Sequence, residues 1–327
     1  MPVLYPLKFK PIFHEKIWGG DRLKTVLGKN FDPLPNCGES WELSTLENNI
    51  SEVSNGPFKG EKLDELIRIY KGELTGQKIY RKFGDEFPLL FKFIDANDDL
   101  SIQVHPGDEM AKEKHNSYGK TEMWYVVDAD QHALINSGFN RILTREEFLE
   151  IQAKGELDEV LHYDVTAPGD VFFIPAGRVH AICKGVLIAE IQQTSDITYR
   201  IFDYNRKDEK GNIRELHTDL ALEAIHFTWQ KENKTNYEIK KNESSEIISC
   251  KYFTTNILHL SQNIEKNYSQ LDSFIVYMNL QGRFCIESES GKEIVEKGET
   301  VLVPASLKVF RMIPLSSEAK ALEVYIK

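Results

Sequence analysis

The sequence predicts a mainly β fold, a sandwich or barrel of short strands with a few inserted helices. Two observations carry this expectation. Short apolar and β-branched runs recur along the chain between turn signals, and helical periodicity is confined to three segments. In chain order, residues 61–70 place Leu63, Leu66, Ile67 and Tyr70 at helical spacing. Strands are expected at 89–95, 100–105, 122–128 and 132–136. Residues 144–153 form a second helix, opened by Thr144 and Glu147 as a capping box in which the two side chains satisfy end N–H groups reciprocally. Strands follow at 170–174, 179–183, 187–192 and 198–204, then a third helix at 218–226 capped by Thr218. The polar run 230–236 reads as a linker, and strands resume at 273–285 and 298–303.

The segment from Gly169 to His180 is the most informative part of the chain. Gly169-Asp170 opens a strand, Val171 to Ile174 is a buried apolar run, and Pro175 and Gly177 fit a tight turn. Proline fixes φ and glycine permits φ > 0, so the turn aims His180 at one place. Upstream, Ser101, Gln103 and His105 alternate with Ile102 and Val104. Alternate residues of a strand share a face, so Gln103 and His105 project together. Glu122 heads the run Met123-Trp124-Tyr125. Gln103, His105, Glu122 and His180 thus offer two nitrogens and at least two oxygens, a set that suits Zn²⁺ or another first-row divalent ion. A structural zinc site would prefer a closed Cys/His cage, so this set reads as catalytic, with a position open to water or substrate. A lone histidine would more simply be a core or surface residue; two in such settings, with Gln and Glu beside them, favour a metal. His115 lies in a polar run, and the remaining histidines have no partner at ligand spacing.

The spacing G-x5-P-x-G-x2-H matches the second signature of the cupin barrels, where the histidine is a metal ligand. Pro88-Leu89-Leu90-Phe91-Lys92, Ser101-Ile102-Gln103-Val104-His105-Pro106, Lys120-Thr121-Glu122-Met123-Trp124-Tyr125 and Glu190-Ile191-Gln192-Gln193-Thr194-Ser195-Asp196 occur in order. With Trp18-Gly19-Gly20 and Gly38-Glu39-Ser40-Trp41-Glu42, they make the chain resemble the type I phosphomannose isomerases of the short bacterial kind, from about residue 8 to residue 206. Two departures from the general cupin pattern are Lys184, where an asparagine is common, and Gln-x-His in place of His-x-His; the second is typical of the isomerases.

The resemblance implies a cupin jelly-roll barrel, one Zn²⁺ per chain on Gln103, His105, Glu122 and His180, and interconversion of mannose 6-phosphate and fructose 6-phosphate. Arg200 would stand near the reacting carbons and hold an oxyanion, with Lys120 and Glu190 completing the polar wall. Glu190 alternates with apolar neighbours on a core strand, so desolvation would make it a plausible base, with Lys120 or metal-bound water as rivals; it would serve equally as an orienting group. Ser101, Lys92 and Arg206 are phosphate candidates through hydroxyl and cationic donors. A base and an oxyanion cation together favour a cis-enediol route over a hydride shift. The alternatives are a non-catalytic sugar-phosphate-binding cupin and another metal-dependent cupin enzyme of the phosphoglucose isomerase type.

The 327 residues carry 40 Lys and Arg against 51 Asp and Glu, a net charge of −11, which argues against nucleic acid and anionic membrane as partners. A phosphosugar is also an anion, so its site must be locally positive; Lys92, Lys120, Arg200 and Arg206 lie close in sequence to the proposed ligands. No apolar run reaches the ~20 residues of a membrane span. The N-terminus lacks signal-peptide organisation, and Cys37, Cys183, Cys250 and Cys285 are scattered, as expected of reduced thiols in the cytoplasm. Nothing in the sequence indicates an oligomeric state.

Residues 298–304 repeat the spacing of Gly169 to Pro175, with Val309 in the place of His180 and Ser273 in that of Glu122. The expected organisation is therefore a catalytic barrel with helical insertions over 1–235, and a degenerate cupin-like barrel without metal ligands over 236–327.

Overall fold

The structure, a computed structural model, describes residues 2–207 and 211–327. Four antiparallel sheets form two barrels. In the first, a six-stranded sheet runs in the order Val171–Ile174, Glu122–Ala129, Val186–Gln193, Leu89–Ala96, Glu39–Leu43, Ile12–His14. It faces a five-stranded sheet ordered Leu161–Val165, Leu134–Phe139, His180–Ile182, Ile102–Val104, Tyr199–Phe202. Trp124, Ile135, Phe172, Ile182 and Ile188 fill the space between them. The second barrel pairs a six-stranded and a four-stranded sheet around Leu258, Tyr277, Phe284, Val301 and Phe310. Among the described residues no helix is long and apolar enough to cross a membrane.

The two six-stranded sheets pack back to back. Phe91, Phe93, Met123, Ala189 and Ile191 on one share a single core with Ile257, Val276, Met278, Leu322 and Val324 on the other. The strands Leu89–Ala96 and Val186–Gln193 are therefore buried on both faces along their whole length. That explains their near-continuous apolar sequence, since neither face meets water. The start of the chain crosses over: Leu7 and Lys8 pair with Leu302 and Val301 in the sheet of the C-terminal half. The helices Leu63–Tyr70, Gly72–Thr75 and Gln77–Phe83 close one side of the shared core with Leu63, Ile67, Leu74 and Ile79. Arg145–Lys154 and Thr218–Ala224 cover the outside of the five-stranded sheet through Phe148, Ala221 and Leu222.

The expected capping box is present: Glu147 N donates to Thr144 Oγ1 at 3.1 Å and Thr144 N to Glu147 Oε2 at 2.7 Å. The third helix differs from expectation. His217 is its N-cap, without a side-chain cap bond, and Thr218 is its first helical residue. The run 273–285 is two strands, Ile275–Gln281 and Phe284–Ser288, because Gly282 turns the chain at φ +65°. The polar run after residue 229 is docked on the first barrel, where Thr235 N donates to Val171 O at 2.8 Å and Lys234 Nζ reaches Asp170 at 2.7 Å. The helix Asp108–His115 was not expected; it buries only Ala111, so it leaves no apolar periodicity.

The shared core predicts a single cooperative transition. Phe274 lies against Phe87 with ring centroids 4.4 Å apart, joining the second barrel to the first. Phe274→Ala should cost about 3–5 kcal/mol. All four tryptophans, Trp18, Trp41, Trp124 and Trp229, precede residue 236. In urea, tryptophan fluorescence and far-UV circular dichroism should shift together in this variant. A fluorescence midpoint left at the wild-type value would show instead that the barrels unfold separately.

Candidate metal centre and substrate cavity

Three strands bring the proposed ligands together. His180 opens the strand His180–Ile182 and pairs in register with Gln103. The turn before it is the one expected: Arg178 N donates to Pro175 O at 3.1 Å, and Gly177 adopts φ +86°. A Cβ at Gly177 would meet the His226 ring at 2.6 Å, so glycine is needed for space as well. Gly177 N also donates to His105 O at 2.9 Å, tying the two ligand segments to each other. His105 follows the strand Ile102–Val104 directly, and Glu122 begins Glu122–Ala129.

His105, Glu122 and His180 form a buried cluster, each 0–1 % exposed, and among the described residues it is the one group of His, Cys, Asp and Glu arranged to hold a metal. His105 Nε2 lies 3.1 Å from His180 Nε2, and each is 3.5 Å from one Glu122 oxygen. Burial, reinforced by Lys120, holds His105 well below the usual histidine range. Burial likewise brings His180 down to about 3. Both imidazoles are therefore neutral near pH 7. His180 Nδ1 is 2.8 Å from the Arg178 carbonyl, which only accepts, so Nδ1 carries the proton and Nε2 presents its lone pair.

Two ring nitrogens and a carboxylate facing one another can hold a cation among them. Neither Glu122 oxygen has a hydrogen-bond partner among the described residues; the nearest cation is Lys120 Nζ, at 3.4 Å from Oε2. Burial pushes the Glu122 carboxyl up, against the pull of Lys120 and Lys92. A divalent ion at the centre would reverse that by stabilising the carboxylate. Ligands at roughly 2.0–2.2 Å from one tetrahedral ion stand about 3.3–3.6 Å apart, close to the separations here. The residues fit a first-row divalent metal.

Beside the cluster opens a cavity of ≈ 360 Å³ lined by Ser101, Gln103, Lys92, Lys120, Glu190 and Arg200, all singled out in the sequence. The described lining holds five cations (Lys16, Lys92, Lys120, Arg200, Arg214) and three carboxylates (Glu39, Glu190, Asp196). The cavity is thus positive inside an acidic protein. Glu190 is held from two sides: Lys92 Nζ stands 3.2 Å from Oε1, and Trp124 Nε1 donates to Oε2 at 2.9 Å. Lys92 also lies 3.8 Å from Glu39 and 4.9 Å above the Trp41 ring. Burial opposes the charge of both Lys92 and Glu39, but Glu190 and then Glu39 overcome it for Lys92, and Lys92 overcomes it for Glu39. Lys92 is held above its usual range, and Glu39, aided by Lys16 and the Trp41 N–H, is held at about 2. Arg200 donates from Nη1 to Glu215 O at 2.9 Å, while its buried Nε has no partner among the described residues.

Arg206 is not in the described lining. Its guanidinium is taken by the buried Asp203 and by the Asp99 carbonyl. Arg214, which the sequence reading missed, lines the cavity instead and meets the other oxygen of Asp203 at 3.2 Å. The dense apolar run around Lys92 signalled the inward face; no local sequence pattern marked Arg214.

The second barrel repeats the ladder with different chemistry. Glu323 pairs with Tyr277 and Asn256 across its strands, as Glu190 pairs with Trp124 and Lys92. Asn256 Nδ2 donates to Glu323 at 2.7 Å, Tyr277 at 3.1 Å, and Lys266 Nζ stands 2.6 Å away. Val309 pairs with Asn267, as His180 does with Gln103. The position of Glu122 is occupied by Ile275, which pairs with Val303 as Glu122 does with Ile174. Ser273, two residues earlier, is not that position.

Comparison with known proteins agrees with this geometry. Residues 6–132 match the model of the catalytic domain of type I phosphomannose isomerase. The chain is 39% identical over 310 residues to mannose-6-phosphate isomerase ManA of Bacillus subtilis (strain 168), covering 94% of this chain and 95% of that protein. It is 35% identical over 305 residues to the mannose-6-phosphate isomerase of Streptococcus mutans serotype c, covering 93% of each. The crystal structure of a mannose 6-phosphate isomerase from Bacillus subtilis superposes with a TM-score of 0.88 at 31% identity, over 98% of this chain and 99% of that one. The cupin-type fold, the His-Glu-His cluster and relatedness over almost the whole length lead to one conclusion: this chain belongs to the type I phosphomannose isomerases.

Proposed function

We propose that the chain is a zinc-dependent aldose–ketose isomerase interconverting mannose 6-phosphate and fructose 6-phosphate through a cis-enediol, with one zinc per chain. The observation that carries this reading is a buried, neutral His105–His180 pair facing a Glu122 whose oxygens have no hydrogen-bond partner among the described residues, beside a positive cavity. His105, Glu122 and His180 would hold the metal, with the Gln103 amide oxygen beside them. Bound zinc would act as a Lewis acid, stabilising negative charge that develops on the sugar oxygens.

The chain's own groups account for the rest. A base removes the C2 proton of the open-chain aldose, and the C–H electrons form the C1–C2 double bond while O1 takes the charge. O1 is protonated, O2 gives up its proton, and a proton returns to C1 to leave the ketone at C2. Glu190 is our assigned base: Lys92 and Trp124 orient it, and Oε1 keeps a free lone pair beside the Lys92 ammonium. Arg200, whose Nε has no partner among the described residues, would hold the oxyanion, and Lys120 would relay a proton at the same wall. Ser101 and Arg214 would take the phosphate, while Lys92, whose ammonium is held by Glu190 and Glu39, would not. Arg206 would act on it only through Asp203, which it shares with Arg214.

His105→Ala or His180→Ala should lose stoichiometric zinc and nearly all isomerase activity, measured by a coupled assay for fructose 6-phosphate, while circular dichroism stays close to wild type. Wild-type zinc content in both variants would remove the site. Metal analysis of the intact protein should find one zinc per chain; a second stoichiometric zinc within 240–327 would contradict the reading of that barrel.

Turnover in heavy water should place some solvent deuterium at C1 or C2, incompletely because a shielded base can return the same proton. Arg200→Ala should lower kcat far more than it raises KM, since its contact tightens as charge develops. Full retention of the substrate hydrogen, with kcat unchanged in Arg200→Ala and Glu190→Gln, would exclude the enediol route.

A further inference from the structure

A hairpin of the second barrel makes polar contact with the segments that carry the metal ligands. Tyr252 sits at the tip of the hairpin joining Ser244–Ser249 to Thr254–Leu260. Its hydroxyl donates to Asp108 Oδ2 at 2.8 Å, and the neighbouring Lys251 Nζ lies 3.2 Å from the same oxygen. Asp108 Oδ1 in turn accepts from Gln193 Nε2 at 2.9 Å and from Gly119 N at 3.3 Å. Gln193, which is buried, accepts the Thr121 N–H on its Oε1 at 2.9 Å. Thr121 immediately precedes Glu122, and its own Oγ1 accepts from Ala176 N, at 3.3 Å, in the turn that aims His180. Asp108 itself is three residues beyond His105, and Lys120 N donates to Pro106 O at 3.1 Å.

From this we infer that Asp108 is a positioning residue for the metal centre, and that Tyr252 of the second barrel is its anchor. The inference rests on the proposed metal site. One carboxylate ties the segment after His105 to the segment before Glu122, and the hairpin of the second barrel clamps that carboxylate from outside. Hydrogen-bond partners of the ligands themselves typically change metal affinity by roughly 10–100-fold when lost, and Asp108 acts one step further out, through the ligand-bearing segments. The degenerate barrel thereby has a part in the chemistry of the first, by setting where Glu122 stands relative to the two histidines.

The test compares three variants of the full-length protein, each titrated as apoprotein with Zn²⁺ against a chelator of known affinity, then assayed for kcat and KM. Tyr252→Phe removes one hydroxyl and keeps the ring. Asp108→Ala removes the hub. Asp108→Asn keeps an oxygen for Gln193 and Gly119 and can donate its N–H to the Tyr252 oxygen, so it is the rescue. Asp108→Ala should weaken zinc binding about tenfold or more and Tyr252→Phe several-fold, both lowering kcat with KM within twofold. Asp108→Asn should stay within about threefold of wild type on each measure. Unchanged zinc affinity in Tyr252→Phe and Asp108→Ala overturns the inference, whatever happens to the melting temperature, and so does an Asp108→Asn as weak as Asp108→Ala. Should Asp108→Ala fail to fold, Tyr252→Phe decides. Wild-type protein that binds no stoichiometric zinc would instead remove the metal-centre reading on which the inference stands.

Discussion

The ion pair between Lys92 and Glu190 organises the first barrel. The two residues face each other on neighbouring strands whose opposite faces are wholly committed to the shared core. A slip of one residue in either strand would turn its charge into that core and bring Phe91 or Ile191 into the cavity, so the register is strongly set. Removing one partner of such a buried pair typically costs about 3–5 kcal/mol, because the other charge is left uncompensated. Here the surroundings soften the cost of burying the pair: Glu39 and the Trp41 ring attend Lys92, and Trp124 attends Glu190. Trp124 also lies edge-on to His180, which connects this row of the sheet to the His105–Glu122–His180 cluster.

The second barrel solves the same packing problem without a cavity. Its carboxylate, Glu323, occupies the ladder position of Glu190 but is surrounded by Tyr268, Tyr277, Asn256 and Lys266, which satisfy it from within the protein. A buried polar cluster whose groups are satisfied by one another is structural, whereas one with free lone pairs is poised to bind. By that measure the two barrels differ by what faces the carboxylate more than by fold. Ile275 and Val309, in the places of Glu122 and His180, complete the difference.

Charge is distributed against the overall sign of the protein. The acidic surface surrounds a cavity in which cations outnumber carboxylates, and the carboxylates present are mostly paired with those cations. The two histidines, by contrast, are kept neutral by burial and by Lys120. Neutral imidazoles and a Glu122 carboxylate without a hydrogen-bond partner among the described residues favour a metal cation, while Arg200 and Arg214 in the cavity lining favour an anionic ligand.

Local sequence determined a good deal of this protein. Alternation in Ser101-Ile102-Gln103-Val104-His105, the glycine and proline around His180, and the Thr144–Glu147 box each rest on short-range physics, which neighbouring residues encode directly. Lys92 within its apolar run declared an inward polar face for the same reason. Other features depend on residues far apart in the chain. That Glu190 is held by Lys92 and Trp124, that Arg214 and not Arg206 lines the cavity, and that Leu7 pairs in the C-terminal sheet all follow from which strands become neighbours. The tertiary structure alone decided these, because strand order is chosen by the burial of whole sheet faces, and a side chain's partners are known only once that order is.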